Sequence, residues 1–328
     1  MADQINLAVV QYCWRIEEFL EPQQWVAHLT ACMEDVVARA APGLPTLVAF
    51  PEDLGLPLIA AGEYAALIGS ATMQEALTRE IQRHRFAVSA ARLRFRLSWP
   101  EALWYARSKG AAQLYFSTFS RLAARYHMYV LGGSFEGPRY LLQGGRVSLR
   151  PVDPHIYNTA YLFGPDGSIL GAWPKCFLTP LEDREGLQLH AGDPSQLSVV
   201  DTEVGRIGVA VCLDAFQETI LARLATLRAD ILVQPSANPA PWTPAQQQEW
   251  SEGSWRAVAG TGTFAYALNP MMCGSLFDLD FFGQSAIFSR SAVTSEKGYR
   301  DIGARKGFLR VVPESDREGI LVVTLPHP

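Results

Sequence analysis

Lysine, paired cysteine motifs, net positive charge and long apolar runs are scarce or missing in this 328-residue chain, and each absence removes a class of protein. Only four of the 28 basic residues are lysines: Lys109, Lys175, Lys297 and Lys306. The five cysteines, at positions 13, 32, 176, 212 and 273, include no CxxC pair. That excludes the usual structural zinc spacings, and an odd, scattered set reads as unpaired thiols in a reducing, cytoplasmic setting. The six histidines show no HExxH or other metal spacing, so no metal is expected. A formal net charge of −5 gives no global footprint for nucleic acid. Apolar runs such as 46–50 and 207–213 fall far below the roughly 18 residues of a membrane span. The opening MADQINLAVVQYCW lacks a basic leader and a cleavage site, so neither export nor a membrane partner is expected.

What is present is enough for a sizeable core: 48% of residues are apolar and 19% charged, which excludes disorder and small disulfide-stapled scaffolds. Apolar strand patterns alternate with helical ones along the chain, which favours an α/β class. Strands are expected at 5–10, 46–50, 128–132 and 231–234, with helices over 22–41, 111–126, 216–228 and 247–259. Hairpins are expected at 158–173, around Gly164-Pro165-Asp166-Gly167, and at 197–212. Short strands follow at 264–269, 285–288 and 319–325. No repeat or linker divides the chain, so one large domain fits better than two. Residues 79–96 hold six arginines and one glutamate, a pattern read as a solvated or intersubunit Arg face in preference to a polyanion site.

Three strand ends finish on a reactive side chain: Glu52 after LVAFP, Lys175 after ILGAWP, and Cys212 in RIGVAVC. In α/β folds functional groups gather where strands end, because the strand fixes the backbone and the following loop leaves the side chain accessible. A cysteine in an apolar strand is by itself usually an inert core thiol. Complementarity makes the difference here. A thiol nucleophile needs a base that takes its proton and returns it to a leaving amine, and a carboxylate in an apolar site suits that shuttle. A lysine and the backbone N–H of Leu213 would hold the developing oxyanion. Together the three describe acyl transfer through a thioester.

These residues sit in motifs that resemble those of the nitrilase or carbon–nitrogen hydrolase superfamily: FPEDLG around Glu52, NTAYLFGPDGSILGAWPKCFLTPLE around Lys175, and GRIGVAVCLDAFQE around Cys212, followed by LRADILVQPSA and FFGQSAIF. The resemblance implies an αββα sandwich, with Cys212 as nucleophile, Glu52 as general base and acid, and Lys175 as oxyanion stabiliser. It also implies that Glu182 positions the substrate or the lysine, that Asp214 is structural, and that the chain forms a homodimer or larger assembly. Where the family often has Pro-Glu after the cysteine, this chain has Gln217-Glu218. Cys212-Leu213-Asp214 is similar to amidase-like branches, whereas nitrile-hydrolysing members tend to carry Cys-Trp-Glu. The expected activity is therefore hydrolysis of a small amide or N-carbamoyl compound without a cofactor. The alternatives are a thioester-based acyltransferase, a nitrile hydrolase, or a non-catalytic scaffold with the same fold.

The stretch between Glu52 and Gly132 is longer than in compact members, so residues 56–110 look like an insertion that forms a pocket wall, a lid or a subunit contact. Asn238 and Trp242, in the loop after the strand that follows the cysteine, are candidate substrate contacts. Gly260–Ala265 matches GxGxxA but precedes a strand rather than opening a helix, the wrong context for a dinucleotide phosphate. Cys176, beside Lys175, reads as a packed thiol.

Overall fold

The computed structural model describes every residue except 1–2, 20, 184–185 and 291–296. In chain order the elements are β1 (Gln4–Trp14), α1 (Pro22–Arg39), β2 (Thr46–Ala49), α2 (Met73–Arg83), α3 (Arg85–Phe95), α4 (Trp99–Tyr126), β3 (Tyr129–Gln143), β4 (Arg146–Phe163), β5 (Ile169–Pro174), β6 (Val200–Thr202) and β7 (Gly205–Val209). Then come α5 (Glu218–Thr226), β8 (Ile231–Val233), α6 (Pro244–Trp250), β9 (Tyr266–Asn269), β10 (Met272–Leu276), β11 (Leu279–Phe281), β12 (Ala286–Ser289), β13 (Phe308–Val311) and β14 (Gly319–Pro326). No helix among the described residues is long and apolar enough to cross a membrane.

The strands form two sheets. One runs β11-β10-β1-β2-β3-β4-β5, with β14 antiparallel to the first part of β1; the other runs β13-β12-β9-β8-β7-β6. Side chains alternate across a strand, and in β1 and β2 both faces are buried. Ile5, Leu7 and Val9 of β1 and Leu47 and Ala49 of β2 face the second sheet's Ile207, Val209, Ile231 and Val233. Ala8, Val10 and Val48 point the other way, into a core with Trp25, Leu29, Met33 and Val36 of α1 and Tyr115 and Phe119 of α4. Burial on both sides explains why these strands read as continuous apolar runs rather than alternating ones. On the second sheet, Gly208 of β7 lets Leu224 of α5 lie close against it. The result is a helix–sheet–sheet–helix sandwich. Segment 56–110 adds Leu58, Tyr64, Leu77 and Val88 to the core of the first sheet, within the same single domain.

Three expectations are corrected. The strand starting near 128 does not stop at Gly132 but runs on to Gln143, because Gly133, at φ +70°, sits in a register shift between Leu131 and Ser134. A glycine pair inside a strand can mark a bulge as well as an end. The helix expected over 247–259 is broken, with α6 ending at Trp250 and a separate π-type turn at Arg256–Gly260. Cys13 and Cys273 are not free: they face each other in the β1–β10 register and form a disulfide, leaving Cys32, Cys176 and Cys212 as thiols. Their 260-residue separation hid the pair, and the bond removes the basis for expecting a reducing compartment.

Candidate active site

Parallel pairing of β2 with β3 ends at Ala49 and Leu131, and the chain then turns sharply. Phe50 N–H reaches the Leu131 carbonyl (2.9 Å), Asp53 N–H reaches Ser134 Oγ (2.8 Å), and Gly55 N–H reaches the Ser134 carbonyl (2.9 Å). Asp53 takes a left-handed φ of +59° within this turn. Gly133 makes the approach possible, since a Cβ there would lie 2.0 Å from the Pro51 carbonyl oxygen. The outcome is that Glu52 as a whole is only 1% exposed, its carboxylate directed inward.

Lys175 arrives by a different route. Asn158 lies opposite Glu136 in the β3–β4 register, and the Lys175 N–H bonds to the Asn158 carbonyl (2.8 Å) just past the end of β5. Lys175 is 1% exposed. Its Nζ donates to Glu52 Oε1 (2.8 Å) and to Glu182 Oε2 (2.6 Å). Asn158 Nδ2 donates to Glu52 Oε1 and Glu182 Oε1, both at 2.9 Å, and to Asp53 Oδ1 at 3.2 Å. Glu182 also accepts from the N–H and the hydroxyl of Thr179, both at 2.9 Å. Burial opposes the charge on Glu182, yet the Lys175 ammonium and these donors hold its carboxyl below the usual range. Burial pushes Glu52 up, against the pull of Lys175.

Cys212 lies past the end of β7, at the start of a 3-10 turn spanning Cys212–Phe216, so it is not a strand residue. Its φ is +49°, a conformation that costs an L-residue on the order of 1–3 kcal/mol. Neighbouring bonds enforce it: Cys212 N–H to the Pro235 carbonyl (2.9 Å), and Gln234 Nε2 to the Cys212 carbonyl (3.1 Å). The peptide of Ala237 bridges thiol and carboxylate, for its N–H donates to Glu52 Oε2 (2.9 Å) and its carbonyl lies 3.9 Å from Cys212 Sγ. Burial and the nearby Glu52 push the Cys212 thiol well above its ordinary range, while Lys175 pulls the other way. A side-chain hydrogen bond links the thiol to Glu52, so a proton acceptor lies within the site.

A cavity of about 190 Å³ opens over this cluster. Glu52, Lys175 and Glu182 contribute to its lining, with Leu56, Met73, Leu187 and Phe281 among its apolar walls. Cys212 is not a lining residue and sits next to Ala237, which is. A roomier cleft of about 640 Å³, bounded by Glu101, Cys176 and His190, holds none of Glu52, Lys175, Glu182 or Cys212.

Of the residues singled out from sequence, the fold gathers Glu52, Lys175, Glu182 and Cys212, with Leu213 following the thiol in the same 3-10 turn. Asn238 and Trp242 are turned to internal bonding. Asn238 Nδ2 donates to the carbonyls of Ala240 (2.9 Å) and Phe282 (3.0 Å), Trp242 Nε1 donates to Gln284 Oε1 (3.0 Å), and neither lines the cavity. Asp214 accepts from the N–H groups of Cys176 and Phe177 at 2.8–3.1 Å, which ties the cysteine turn to the lysine strand. Asn158, Asp53 and Glu136 were not singled out. Glu136 is 1% exposed, and burial pushes its carboxyl up to about 8 against the pull of a hydrogen bond from Asp53 beside it. The pairing of NTA with the lysine strand was the available signal for Asn158. Asp53 and Glu136 carried none, because their proximity depends on strand register.

The helix–sheet–sheet–helix sandwich thus carries a buried Glu-Lys-Cys cluster at its strand ends, and comparison with known proteins gives the family. The carbon-nitrogen hydrolase family model matches residues 6–295, and the chain belongs to that family. It is 38% identical over 112 residues to the probable hydrolase YhcX of Bacillus subtilis, covering 34% of this chain and 18% of that one. It is 29% identical over 104 residues to the omega-amidase NIT3 of Saccharomyces cerevisiae, covering 30% and 36%. The chain thus aligns with well under half the length of either relative. Among solved structures, a carbon-nitrogen hydrolase from Helicobacter pylori aligns at TM-score 0.62 and 19% identity over 98% of this chain and 89% of that one. A nitrilase-superfamily amidase from Nesterenkonia aligns at TM-score 0.60 and 16% identity over 98% and 92%. At these identities the two structures bear on the fold alone.

Proposed function

We propose that the chain hydrolyses the carbon–nitrogen bond of a small non-peptide amide or N-carbamoyl compound through a thioester on Cys212. Glu52 takes the Sγ proton and the sulfur attacks the carbonyl carbon. The oxyanion is held by the Lys175 ammonium and the Leu213 N–H. As the intermediate collapses, the C–N bond breaks and Glu52 returns its proton to the nitrogen, which leaves as ammonia or an amine. Water then gives a proton to Glu52 and attacks the thioester, the C–S bond breaks, and sulfur recovers the proton as the acid departs. Glu182 and Asn158 hold Lys175 and Glu52 in place throughout.

The observation that carries this reading is the strained Cys212, set beside a carboxylate that shares the buried Lys175 with a second carboxylate. A cavity of about 190 Å³ favours a small substrate. Leu56 and Met73 line that cavity, so we assign segment 56–110 as an insertion that supplies part of the pocket wall. The test is a screen of small amides, N-carbamoyl amino acids, ω-amides and nitriles, with Cys212→Ala as control. Turnover should vanish in the variant, and mass spectrometry of rapidly quenched wild type should find the acyl mass on Cys212. Retained turnover in Cys212→Ala refutes the mechanism.

A further inference from the structure

Beside the loop that runs from Lys175 to Gly192, three side chains from distant parts of the chain converge, two of which, Glu101 and His190, border the roomier cleft. Glu101 comes from the first turn of α4, His155 from β4, and His190 from the loop itself. One carboxylate oxygen and one ring nitrogen from each histidine all lie within 4.8 Å of one another. His190 Nε2 is 2.9 Å from Glu101 Oε1, and the two imidazole centroids are 4.0 Å apart at an interplanar angle of 40°. Among the described residues the His155 ring has no hydrogen-bond partner, although its Nδ1 is shut off from solvent. A buried ring nitrogen left without a partner is costly, and such groups usually mark a missing ion or water.

We propose that Glu101, His155 and His190 form a binding site for a divalent transition-metal ion of the zinc type. Two imidazoles and a carboxylate are a borderline N/O donor set suited to such ions. Bonds of about 2.0–2.2 Å would set tetrahedral donors about 3.3 Å apart. The Glu101–His190 pair, at 2.9 Å, would open by about 0.4 Å to reach that spacing, and the His155 nitrogen, within 4.8 Å of both, would close by side-chain rotation. Outer contacts orient the donors as metal sites require. The other Glu101 oxygen, Oε2, accepts from the Ser98 N–H (2.9 Å), and the His190 backbone N–H, not its ring, bonds to the carbonyl of Ile156, the residue after His155 (2.7 Å), which fixes where the loop presents the imidazole. The half-exposed His190 leaves a fourth position open to water from the cleft.

The ion would pin the loop from outside while Glu182 holds Lys175 from inside. The loop is already closed on itself by bonds from Gly192 N–H to the Lys175 carbonyl (2.7 Å) and from Leu189 N–H to the Glu182 carbonyl (2.8 Å). Its role is thus structural, and its detection does not depend on turnover.

Chelator-treated full-length chain titrated with cobalt(II) chloride provides the test. One equivalent should give a ligand-field spectrum with no thiolate-to-cobalt charge-transfer band. That absence separates this site from the one other described histidine cluster that includes a cysteine, His28, Cys32 and Glu318. Zinc chloride should raise Tm in the wild type and in Cys32→Ser, and the shift should disappear in His155→Ala/His190→Ala. Glu101→Gln, which keeps the helix cap, should weaken cobalt binding at least tenfold and serves where the double variant does not fold. Absence of stoichiometric binding, a thiolate band, or unchanged affinity in Glu101→Gln overturns the proposal.

Discussion

Lys175→Met probes the buried network through stability alone, with no substrate in the assay. Lys175 and Glu52 side chains are 2% exposed and Glu182 is 7% exposed, and the ammonium meets the two carboxylates at 2.8 and 2.6 Å. Methionine nearly conserves length and volume, so no large cavity opens. What changes is charge: two buried carboxylates lose their counter-ion, and breaking a buried pair from one side costs about 3–5 kcal/mol. With an unfolding entropy of about 2.1 cal/mol/K per residue, a chain of 328 residues would lose about 4–7 °C in Tm. The pH dependence gives a second handle. Glu182 has a lowered folded-state pKa, so its contribution is present above the unfolded carboxylate value and is lost as pH falls through the lower folded one. Without Lys175 that lowering shrinks, and the gap between wild type and variant should be widest near neutrality and close on acidification. Urea unfolding followed by circular dichroism at pH 7.5 and at about pH 3.5, below the ordinary glutamate value, measures both. A gap below about 1 kcal/mol at pH 7.5, or one that grows in acid, would refute the reasoning.

Asn158→Ala should lower kcat/KM by roughly 10- to 150-fold, the equivalent of one hydrogen bond to a charged group, while circular dichroism shows a native fold; activity equal to wild type would remove its positioning role. The pH profile of kcat/KM should have an acid limb above the ordinary glutamate range, because burial raises Glu52 and the reactive form needs it ionised. A limb at or below about 4.3 contradicts that. Gly133→Ala should destabilise the chain far more than Gly43→Ala, as measured by Tm. Both glycines have positive φ (+70° and +76°), but a Cβ at Gly133 meets the Pro51 carbonyl oxygen at 2.0 Å, while one at Gly43 meets nothing within 4 Å. Equal losses would mean that backbone conformation alone decides the cost.

Much of the architecture was legible because its signals are local. Trp25, Leu29, Met33 and Val36 recur at helical spacing, and Gly164–Gly167 marks the β4–β5 turn. The strand ends carrying Glu52 and Lys175 were visible as apolar runs closed by a proline and a polar residue. What escaped was non-local. Glu136 and Asp53 are brought together only by the β3–β4 register and the turn after β2. Cys13 and Cys273 meet only because β1 and β10 are neighbours. Asn238 and Trp242 have residue types suited to a pocket, and nothing in their order along the chain reveals that Gln284, Ala240 and Phe282 already occupy their polar atoms.

By itself, the sequence determined most of the elements, the layer class and the reactive side chains that close the strands, Glu52, Lys175 and Cys212, because apolar periodicity and turn residues act over short range. Tertiary structure decided which of those residues meet. Charge pairing and proton affinity depend on distance and dielectric, and both appear only once two sheets have closed over Glu52, Lys175, Glu182 and Cys212 and excluded water from between them.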